Sequence, residues 1–399
     1  MSGLRVAMVA PCPLPWPRGT PIRIFRTAEA LARRGHEVHV VTYHLGQDAG
    51  ALPFRLHRIR RIPTYRRTAP GPTLQKLLVA DTLLRRLLAR VLDDHRPDVV
   101  HAHHYEGLLV ARGPTRARAL PLVYDAHTLL SSELRFYPLG VPSRLKDLVG
   151  GWLDRRLPHR ADHVIAVTEG VRRRLVQGFG LPPADVTVVM NGIEHAHFEA
   201  RLGADGPAAS EARRADGPGF PTLVYSGNLA PYQGVDLLLR AFRRILDRRP
   251  DARLRLVTNS SLGSYAELAG RLDVIRGIDV VRSDFAGLPE HLATARVALN
   301  PRTECDGVPQ KVLNYMAAGR PVVSFAGSAE VLEPGVTGLV VADGDVEAFA
   351  DAALGLLGDP ERAERLGAAG RERVSGWTWD RTAAGVEEVY ARVLRERRR

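Results

Sequence analysis

Residues 222–242 read TLVYSGNLAPYQGVDLLLRAF and contain one complete strand–loop–helix unit. An apolar run comes first, then a loop containing Gly227 and Gly234, and then a segment whose apolar residues recur every three to four positions. A short apolar run bounded by turn residues is typical of a buried strand, and the second periodicity is that of an amphipathic helix. Repetition of this unit along a chain is the pattern of a parallel α/β sheet.

The same unit recurs in both halves of the chain. In the first half, strands are predicted at Arg5–Ala10 and Glu37–Thr42 and at residues 98–102, 120–125, 163–168 and 186–190. In the second half, they are predicted at Thr222–Ser226, Val297–Asn300 and Gly338–Val341 and at residues 253–258, 279–282 and 321–325. Helical patterns separate them, among others at residues 21–34, 73–94, 235–247, 308–318, 346–357 and 360–375. This alternation predicts doubly wound sheets of the α/β class.

The length and one compositional break predict two domains. The chain has 399 residues, more than one domain usually holds. Residues 199–219, EARLGADGPAASEARRADGPG, lack an apolar period and are rich in Gly, Ala, Pro and charge, as linkers are. We therefore predict an N-terminal domain at 1–198, a linker at 199–219 and a C-terminal domain at 220–378, with the helix at 379–399 returning to the first domain. Ligands bind at the carboxyl ends of parallel strands, so two such edges facing each other would form a central cleft.

Composition excludes several classes of protein. Two cysteines far apart, Cys12 and Cys305, do not form a disulfide framework and favour a reducing compartment. No apolar run reaches the roughly 18 residues of a membrane span, and the N-terminus lacks the pattern of a secretory signal. A cytoplasmic location is therefore expected.

The net charge of +12 indicates an anionic partner or a bias towards arginine codons. Anionic membranes, phosphorylated small molecules and nucleic acids all suit a basic protein, but the basic residues are not interleaved with stacking aromatics, so no nucleic acid is expected. Residues 55–96 are rich in arginine, and residues 73–94 have one broad apolar face. That face either binds an anionic membrane surface or packs on the sheet, and the sequence leaves both interpretations open.

Two glycine-containing loops are candidate anion sites. Gly19 and Thr20 stand where a strand passes into a helix, where backbone N–H groups and the helix dipole attract anions. An ordinary turn of proline and glycine is the other interpretation of this first loop. Gly227 stands at the corresponding point of the second half and would let a phosphate approach the backbone. Neither half has the G-x-G-x-x-G fingerprint, which counts against an NAD enzyme, and there is no G-x-x-x-x-G-K-[ST] loop.

Residues 300–325, NPRTECDGVPQKVLNYMAAGRPVVSF, contain the sharpest candidate, Lys311. A helix is predicted to start near Val308 with Pro309 in its first turn, where proline is tolerated. Lys311 lies in that first turn, where a positive charge opposes the helix dipole and lowers stability slightly. A bound phosphate would offset this loss of stability. Phosphate binding and a solvated surface lysine are the two interpretations.

Histidines follow two predicted strands of the first half. His101, His103 and His104 lie at the end of one strand, and His127 lies just past another. No set of cysteines or carboxylates converges with them at the spacing of a metal site, so no metal is expected. Structural hydrogen bonding suits the first three, whereas His127 stands at the edge where substrates bind.

An ordered series of motifs covers nearly the whole chain. The motifs are LARRGHEVHVVT, PDVVHAHH, YDAHT, ADHVIAVTEGVRRRL, VVMNGIEHAHF, YSGNLAPYQGVDLLL and NYMAAGRPVV. Together they resemble the retaining glycosyltransferases of family 4, which have the GT-B fold of two Rossmann-like domains facing a cleft. The resemblance implies transfer of a hexose-type sugar from a UDP- or GDP-sugar to a glycan or lipid-linked acceptor. It also implies no cofactor, no divalent metal and a location at the cytoplasmic face of a membrane.

The resemblance also implies roles for individual residues. The C-terminal domain of the family binds the donor, here through Gly227, Asn228, Gln233, Lys311, Val312 and Asn314. Asn228 and Gln233 replace the Arg and Lys that grip the diphosphate, and Asp306 and Asn314 replace a pair of glutamates. Lys311 fits a P-x-K variant that could supply the missing charge.

On the same basis His127 and Asp306 are the candidate catalytic residues, and Gly19 and Thr20 line the acceptor side. Two alternatives remain open at this stage. One is another GT-B enzyme, such as a nucleotide-sugar epimerase, and the other is a catalytically weak scaffold with the same fold.

Overall fold

The computed structural model describes residues 3–16, 19–48, 50–68, 71, 73–137, 140–202 and 222–397. The chain divides into two compact units, one formed by Met1–Gly192 with Trp379–Arg399 and the other by Ile193–Thr378. The first unit therefore ends at Gly192 rather than at residue 198. The predicted linker also begins too early, because residues 199–202 are helical, and its remainder lies outside the described residues.

The N-terminal unit contains a parallel sheet of seven strands. They are β1 (Arg5–Ala10), β2 (Glu37–Thr42), β3 (Arg55–Arg58), β4 (Val99–His103), β5 (Leu122–Ala126), β6 (His163–Ala166) and β7 (Val186–Val188). Their order in the sheet is β3-β2-β1-β4-β5-β6-β7, which is a doubly wound arrangement. The edge strand β3 was not predicted, because its sequence RLHR has a single apolar residue and neither of its ends is buried.

Helices cover both faces of this sheet. They are α1 (Gly19–Arg33), α2 (Asp81–His95), α3 (His104–Ala117), α4 (Leu130–Glu133), α5 (Ser143–Arg156) and α6 (Glu169–Arg173). A turn of π-helix at Lys76–Ala80 precedes α2, so the helix predicted at 73–94 changes its winding partway. Leu84, Leu88 and Val91 of α2 are buried in the core against the sheet.

The C-terminal unit contains a second parallel sheet, of six strands. They are β8 (Thr222–Ser226), β9 (Arg253–Val257), β10 (Ile278–Val281), β11 (Val297–Asn300), β12 (Val322–Phe325) and β13 (Gly338–Val341), in the order β10-β9-β8-β11-β12-β13. Its helices are α7 (His195–Leu202), α8 (Val235–Arg248), α9 (Ser264–Arg271), α10 (Leu288–Ala293), α11 (Gln310–Ala317), α12 (Val346–Gly358) and α13 (Pro360–Val374). The predicted α/β class, with two Rossmann-like sheets, is confirmed.

The last helix, α14 (Trp379–Glu396), packs in the N-terminal unit. Tyr390 and Val386 are buried in one cluster with Leu31 of α1. Glu387 accepts two hydrogen bonds from the Arg34 guanidinium, at 2.6 and 2.7 Å, and its carboxylate lies 2.8 Å from His36 Nε2. Among the helices of the described segments, none combines the length and the apolarity that crossing a membrane requires.

Strand sequences explain why both sheets are interior layers. Five of the six residues of β1 and of β2 are buried, and all four residues of β11 and β12 are buried. Strands covered on both faces read as continuous apolar runs, as these do. Polar and glycine residues therefore cluster where the strands end, and the candidate functional residues lie there.

Candidate functional site

Two glycines shape the loop that follows β8. Gly227 has φ +128°, and a Cβ there would lie 3.3 Å from both Cε and Nζ of Lys311. Gly234 has φ +70°, and a Cβ there would lie 2.1 Å from the carbonyl oxygen of Pro301, which follows β11. A side chain at either position would therefore meet both backbone strain and a close neighbour. The loop lies directly against the end of the neighbouring strand because both residues are glycine.

Lys311 points towards this loop from the second residue of α11. The helix begins at Gln310 with Pro309 as its N-cap, so the predicted start near Val308 was early. The Lys311 ammonium donates a hydrogen bond to Gln233 Oε1 over 2.7 Å and lies 3.9 Å from the centre of the Tyr225 ring. The structure thus brings together Gly227, Gln233 and Lys311, three of the residues predicted to bind the donor.

The electrostatic environment of Lys311 disfavours its positive charge. Burial lowers the pKa of Lys311 well below its usual value, and the positive charge of Arg302 lowers it further. The Cys305 thiol acts in the opposite direction but does not offset burial and Arg302. Arg302 lies 5.1 Å from the centre of the Tyr232 ring and donates from Nε to the Glu304 carbonyl over 2.6 Å. An anion bound here would relieve the repulsion between the two cations.

Asn228 shapes the loop through its own hydrogen bonds. Its Oδ1 accepts from the Ala230 N–H over 3.1 Å, and its Nδ2 donates to the Tyr232 hydroxyl over 3.4 Å. The Tyr225 hydroxyl in turn donates to the Asn228 carbonyl over 2.6 Å. The asparagine side chain mimics a backbone turn, as is common for this residue type.

The other predicted residues of the second half occupy three different environments. Asp306 lies half-buried in the loop between β11 and α11. Val312 is fully buried and its N–H bonds the Pro309 carbonyl at 2.9 Å, so its side chain packs inside the unit rather than facing a ligand. Asn314 is buried farther along the same helix. Sequence reasoning did not assign roles to Tyr225, Tyr232 or Arg302, although all three stand in the quoted motifs.

In the N-terminal unit, His127 belongs to a buried polar cluster at the ends of β4 and β5. His127 Nε2 lies 3.1 Å from His103 Nδ1 and 3.8 Å from Asp125 Oδ1. Burial lowers the pKa of His127 to about 3, since the pull of Asp125 is not enough to offset it. The imidazole is therefore neutral near pH 7, so one of its nitrogens donates a hydrogen bond and the other accepts one.

Arg23 holds this cluster together and was missed by the sequence reasoning. Its Nε donates to Asp125 Oδ2 over 3.0 Å, its Nη1 to Asn191 Oδ1 over 2.9 Å and its Nη2 to the Val189 carbonyl over 2.9 Å. The guanidinium is 1% exposed. A signal existed, because Arg23 falls on the same helical stripe as the buried residues Thr27 and Ala30. A charged residue within such a stripe points to a buried partner.

A cavity of about 80 Å³ lies beside the start of α1 in the N-terminal unit. Thr20 lines it, whereas Gly19 is exposed, and a Cβ added to Gly19 would meet no heavy atom within 4 Å. Lys76 Nζ donates to Glu106 Oε2 over 2.6 Å, and His104 Nε2 lies 3.1 Å from Glu133 Oε2. The cavity is lined by Pro11, Cys12, Pro13, Trp16, Thr20, Pro21, Tyr43, Tyr65, Arg67, Thr68, Gly71, Lys76, His104, Tyr105, Glu106, Glu133 and Tyr137.

The ion pairs of the cavity are strongly coupled. Burial lowers the pKa of His104, but the charge of Glu133, the hydrogen bond to Glu133 and the charge of Glu106 together outweigh burial and raise the pKa above the usual value. Burial likewise opposes ionisation of Glu133, yet the charge and hydrogen bond of His104, with hydrogen bonds from Thr128 and Tyr137, lower the pKa of that carboxyl to about 2. The cavity therefore presents paired charges and the aromatic hydroxyls of several tyrosines, which suit recognition of hydroxyl groups.

Comparison with known proteins identifies the class and then the family. Residues 17–197 match the family described as Glycosyltransferase Family 4, and residues 220–359 match the one described as Glycosyl transferases group 1. With its two doubly wound sheets, the protein is a glycosyltransferase of the GT-B fold. The chain belongs to glycosyltransferase family 4.

Sequence relatives support the family, and solved structures support the fold. The chain is 30% identical to a D-inositol 3-phosphate glycosyltransferase of Kineococcus radiotolerans, over 95% of this chain and 91% of that one. It is also 30% identical to the protein of the same name from Kribbella flavida, over 93% and 90% of the two chains. Sucrose-phosphate synthase from Thermosynechococcus elongatus has a similar fold, with a TM-score of 0.79, 20% identity and coverage of 98% and 100%. Anabaena HepE in complex with UDP and glucose has a TM-score of 0.72, 17% identity and coverage of 97% and 99%.

Proposed function

We propose that this glycosyltransferase moves a hexose-type sugar from a UDP- or GDP-sugar to a glycan acceptor with retention of anomeric configuration. The observation that carries the donor assignment is the pair of cations Lys311 and Arg302 beside the glycine backbone at Gly227. UDP is favoured over GDP because structures of HepE, which shares the fold, contain UDP or UDP-glucose.

The same residues would stabilise the leaving group. Negative charge develops on the nucleoside diphosphate as the bond to the sugar breaks, and fixed positive groups stabilise that charge. Each well-placed donor typically contributes about 3–4 kcal/mol. Lys311 is fixed by its hydrogen bond to Gln233, so it needs little reorganisation when the charge develops. We infer that no divalent metal is required, and transfer should continue in the presence of a chelator.

The acceptor site is assigned to the cavity lined by Thr20 in the N-terminal unit. Curated relatives are named for D-inositol 3-phosphate, which carries a phosphate. In this chain Lys76 and His104 are already paired with Glu106 and Glu133, so an acceptor phosphate would meet two carboxylates. This charge pattern supports an acceptor that offers hydroxyl groups here, such as a cell-envelope or lipid-linked glycan, over a phosphorylated polyol.

Calorimetric titration of UDP, GDP, ADP and NAD without added metal tests the donor assignment. Selective binding of one nucleoside diphosphate by the wild type, with binding at least about tenfold weaker in Lys311→Ala, is the expected result. Lys146→Ala is the matched control, because Lys146 is a buried lysine of the N-terminal unit that bonds the Tyr137 carbonyl. Equal affinity in wild type and Lys311→Ala would remove the assignment. Product analysis with donor alone would separate transfer from epimerisation.

We also propose peripheral binding to an anionic membrane surface on its cytoplasmic side. Apolar side chains of the N-terminal unit are exposed in two neighbouring segments, including Leu74 at 77%, Leu78 at 69%, Leu148 at 70% and Trp152 at 56%. The first segment precedes α2 and the second is α5. Tyr137 connects the two segments. Its carbonyl accepts a hydrogen bond from Lys146 of α5 at 2.6 Å, and a Cβ on Gly71, just before the first segment, would lie 2.7 Å from its ring.

Charge and the amphipathic pattern support the membrane proposal. Exposed arginines flank the apolar residues of α5, namely Arg135, Arg144, Arg155 and Arg156. The apolar face predicted at 73–94 divides into two parts, because Leu84, Leu88 and Val91 pack in the core while Leu74, Leu77 and Leu78 are exposed. Apolar residues exposed beside basic residues are the pattern of an interfacial helix.

A further inference from the structure

Three histidines from three different elements converge at the edge of the N-terminal sheet. His39 comes from β2, His57 from the edge strand β3 and His95 from the end of α2. One ring nitrogen from each lies within 4.8 Å of those of the other two. His39 Nδ1 is 3.0 Å from His57 Nε2, and the ring centres of His39 and His95 are 4.0 Å apart.

We propose that His39, His57 and His95 bind one divalent transition-metal ion of the Zn²⁺ class. Imidazole nitrogens suit zinc, copper, nickel and cobalt, whereas magnesium and calcium prefer oxygen ligands. Zinc–nitrogen bonds of about 2.0–2.1 Å place the nitrogens of a tetrahedral site about 3.3 Å apart. The separation of the His39 and His57 nitrogens is already close to that distance.

The surroundings of His39 favour the same assignment. His39 Nδ1 faces His57, while its other nitrogen, Nε2, lies 3.1 Å from Glu37 Oε1. A carboxylate on the far nitrogen of a ligating histidine orients the ring and raises its basicity, as metal sites commonly require. His39 is 1% exposed, whereas His57 and His95 are half-buried. The ion would thus sit on a fixed ligand and remain reachable from solvent.

A second cluster in the described part of the N-terminal unit shows why this one is preferred. His101, His103 and Asp125 also have ligand atoms within 4.8 Å of one another. There the Arg23 guanidinium lies 3.0 Å from Asp125 and already supplies positive charge, and all three residues are fully buried. A dication would be repelled by Arg23 and would lack a path to the site.

The position of the site indicates a structural role. His95 ends α2 and the chain then enters β4 at Val99, so this end of α2 lies at the amino edge of the sheet. Substrates bind at the opposite, carboxyl edge of parallel strands. A bound ion would tie β2, the short edge strand β3 and α2 to one another. Because the ion binds only the folded arrangement of these elements, it would raise thermal stability.

The test uses the full-length protein after chelator treatment and dialysis. Titration with Co²⁺, followed by visible absorption, and with Zn²⁺, followed by calorimetry, is expected to give one equivalent bound and a melting temperature several degrees higher. His57→Gln and His95→Gln should each weaken binding at least about tenfold, and Glu37→Gln should weaken it less. His159→Gln, which changes an exposed histidine of the same unit, should bind as the wild type does.

A measurement on the wild type alone covers the case in which a variant fails to fold. Carbethoxylation of histidines, mapped by mass spectrometry, should be slower at His57 and His95 when one equivalent of Zn²⁺ is present and unchanged at His159. Absence of saturable binding overturns the proposal. So does binding that survives in both His57→Gln and His95→Gln, or protection that falls on His101 and His103 instead.

Discussion

Lys311 Nζ donates a hydrogen bond to Gln233 Oε1 over 2.7 Å, although the two residues are 78 positions apart in the chain. The family resemblance predicts a lysine at position 233 to grip the donor diphosphate, and this chain has glutamine there. The ammonium group therefore reaches the same place from α11 instead of from the loop after β8. This arrangement keeps one positive charge at the glycine loop even though the usual residue is absent.

Replacing Lys311 should change stability and nucleotide affinity in opposite directions. Lys311→Met removes a cation whose pKa is lowered by burial and by Arg302. A lysine whose pKa is lowered in the folded state costs stability at every pH below its ordinary pKa near 10.5, a range that includes pH 7. The variant should therefore be more stable than the wild type at pH 7, by about 1 kcal/mol. It should also bind the nucleoside diphosphate about 10–100-fold more weakly. Thermal unfolding and calorimetry measure the two effects on the same sample.

A variant that lost both stability and affinity would contradict this interpretation of Lys311. Such a result would show that the lysine is held mainly by its contacts with Gln233 and the Tyr225 ring. Lys146→Met again serves as the control, and it should leave nucleotide affinity unchanged.

Gly227→Ala should impair donor binding through Lys311. The alanine methyl group would lie 3.3 Å from Lys311 Nζ, and φ +128° is a conformation that alanine rarely adopts. We expect destabilisation of order 1–3 kcal/mol and a clear loss of nucleotide affinity. Gly344→Ala is the matched control, because Gly344 also has positive φ, +77°, but no atom lies within 4 Å of its added Cβ. If the two variants bound the nucleotide equally well, contact with Lys311 would not matter.

His127→Ala should reduce sugar transfer more than nucleotide binding. The residue is a neutral member of the buried cluster of the N-terminal unit, whereas the cations assigned to the donor diphosphate lie in the C-terminal unit. Initial rates of transfer and the nucleotide dissociation constant should be measured on the same preparation. Equal loss of both would assign His127 a structural role. His127→Gln, which retains hydrogen bonding, should recover folding if the alanine variant is unstable.

Acid should destabilise the protein partly through His163. This residue is 1% exposed, and burial, with a contribution from Arg392, lowers its pKa to about 4. The unfolded chain has the ordinary pKa near 6.5, so between these two values the unfolded state binds more protons and stability falls as pH falls. His163→Gln should lose less stability than the wild type between pH 7 and pH 4. Unfolding midpoints across this range, with His159→Gln as control, measure the difference.

Membrane binding should depend on the exposed apolar side chains of α5. Leu148→Ser combined with Trp152→Ser should sharply reduce sedimentation with vesicles that contain anionic lipid, and high salt should weaken binding of the wild type. Val336→Ser is the control, because Val336 is also an exposed apolar side chain, 47% accessible to solvent, but lies in the C-terminal unit. Equal sedimentation of all three proteins would rule out α5 as the contact. Binding to neutral vesicles that matched binding to anionic ones would rule out a role for the arginines.

Local patterns were enough to predict the α/β class and most strands, and they singled out Gly227 and Lys311, which lie close together in the structure. A run of apolar residues, a glycine turn and a helical period are properties of neighbouring residues, so they can be read from the chain directly. The edge strand β3 was missed for the same reason, since an edge strand buries little and its sequence carries no apolar run. The start of α11 was placed two residues early because proline is favoured in the first turn of a helix, whereas Pro309 stands just before the first helical residue.

Contacts between segments that are distant in the sequence could not be predicted from local patterns. The sequence identified Gln233 and Lys311 as candidates but not the hydrogen bond between them. That bond, the contact of the Lys311 ammonium with the Tyr225 ring and the nearness of Arg302 arise only when β8 and β11 become neighbours in the sheet. Arg23 joining Asp125 and Asn191, and the convergence of His39, His57 and His95, have the same origin. Periodicity fixes which face of an element is apolar, whereas the partners of a charged side chain depend on strand order and register, to which every part of the chain contributes.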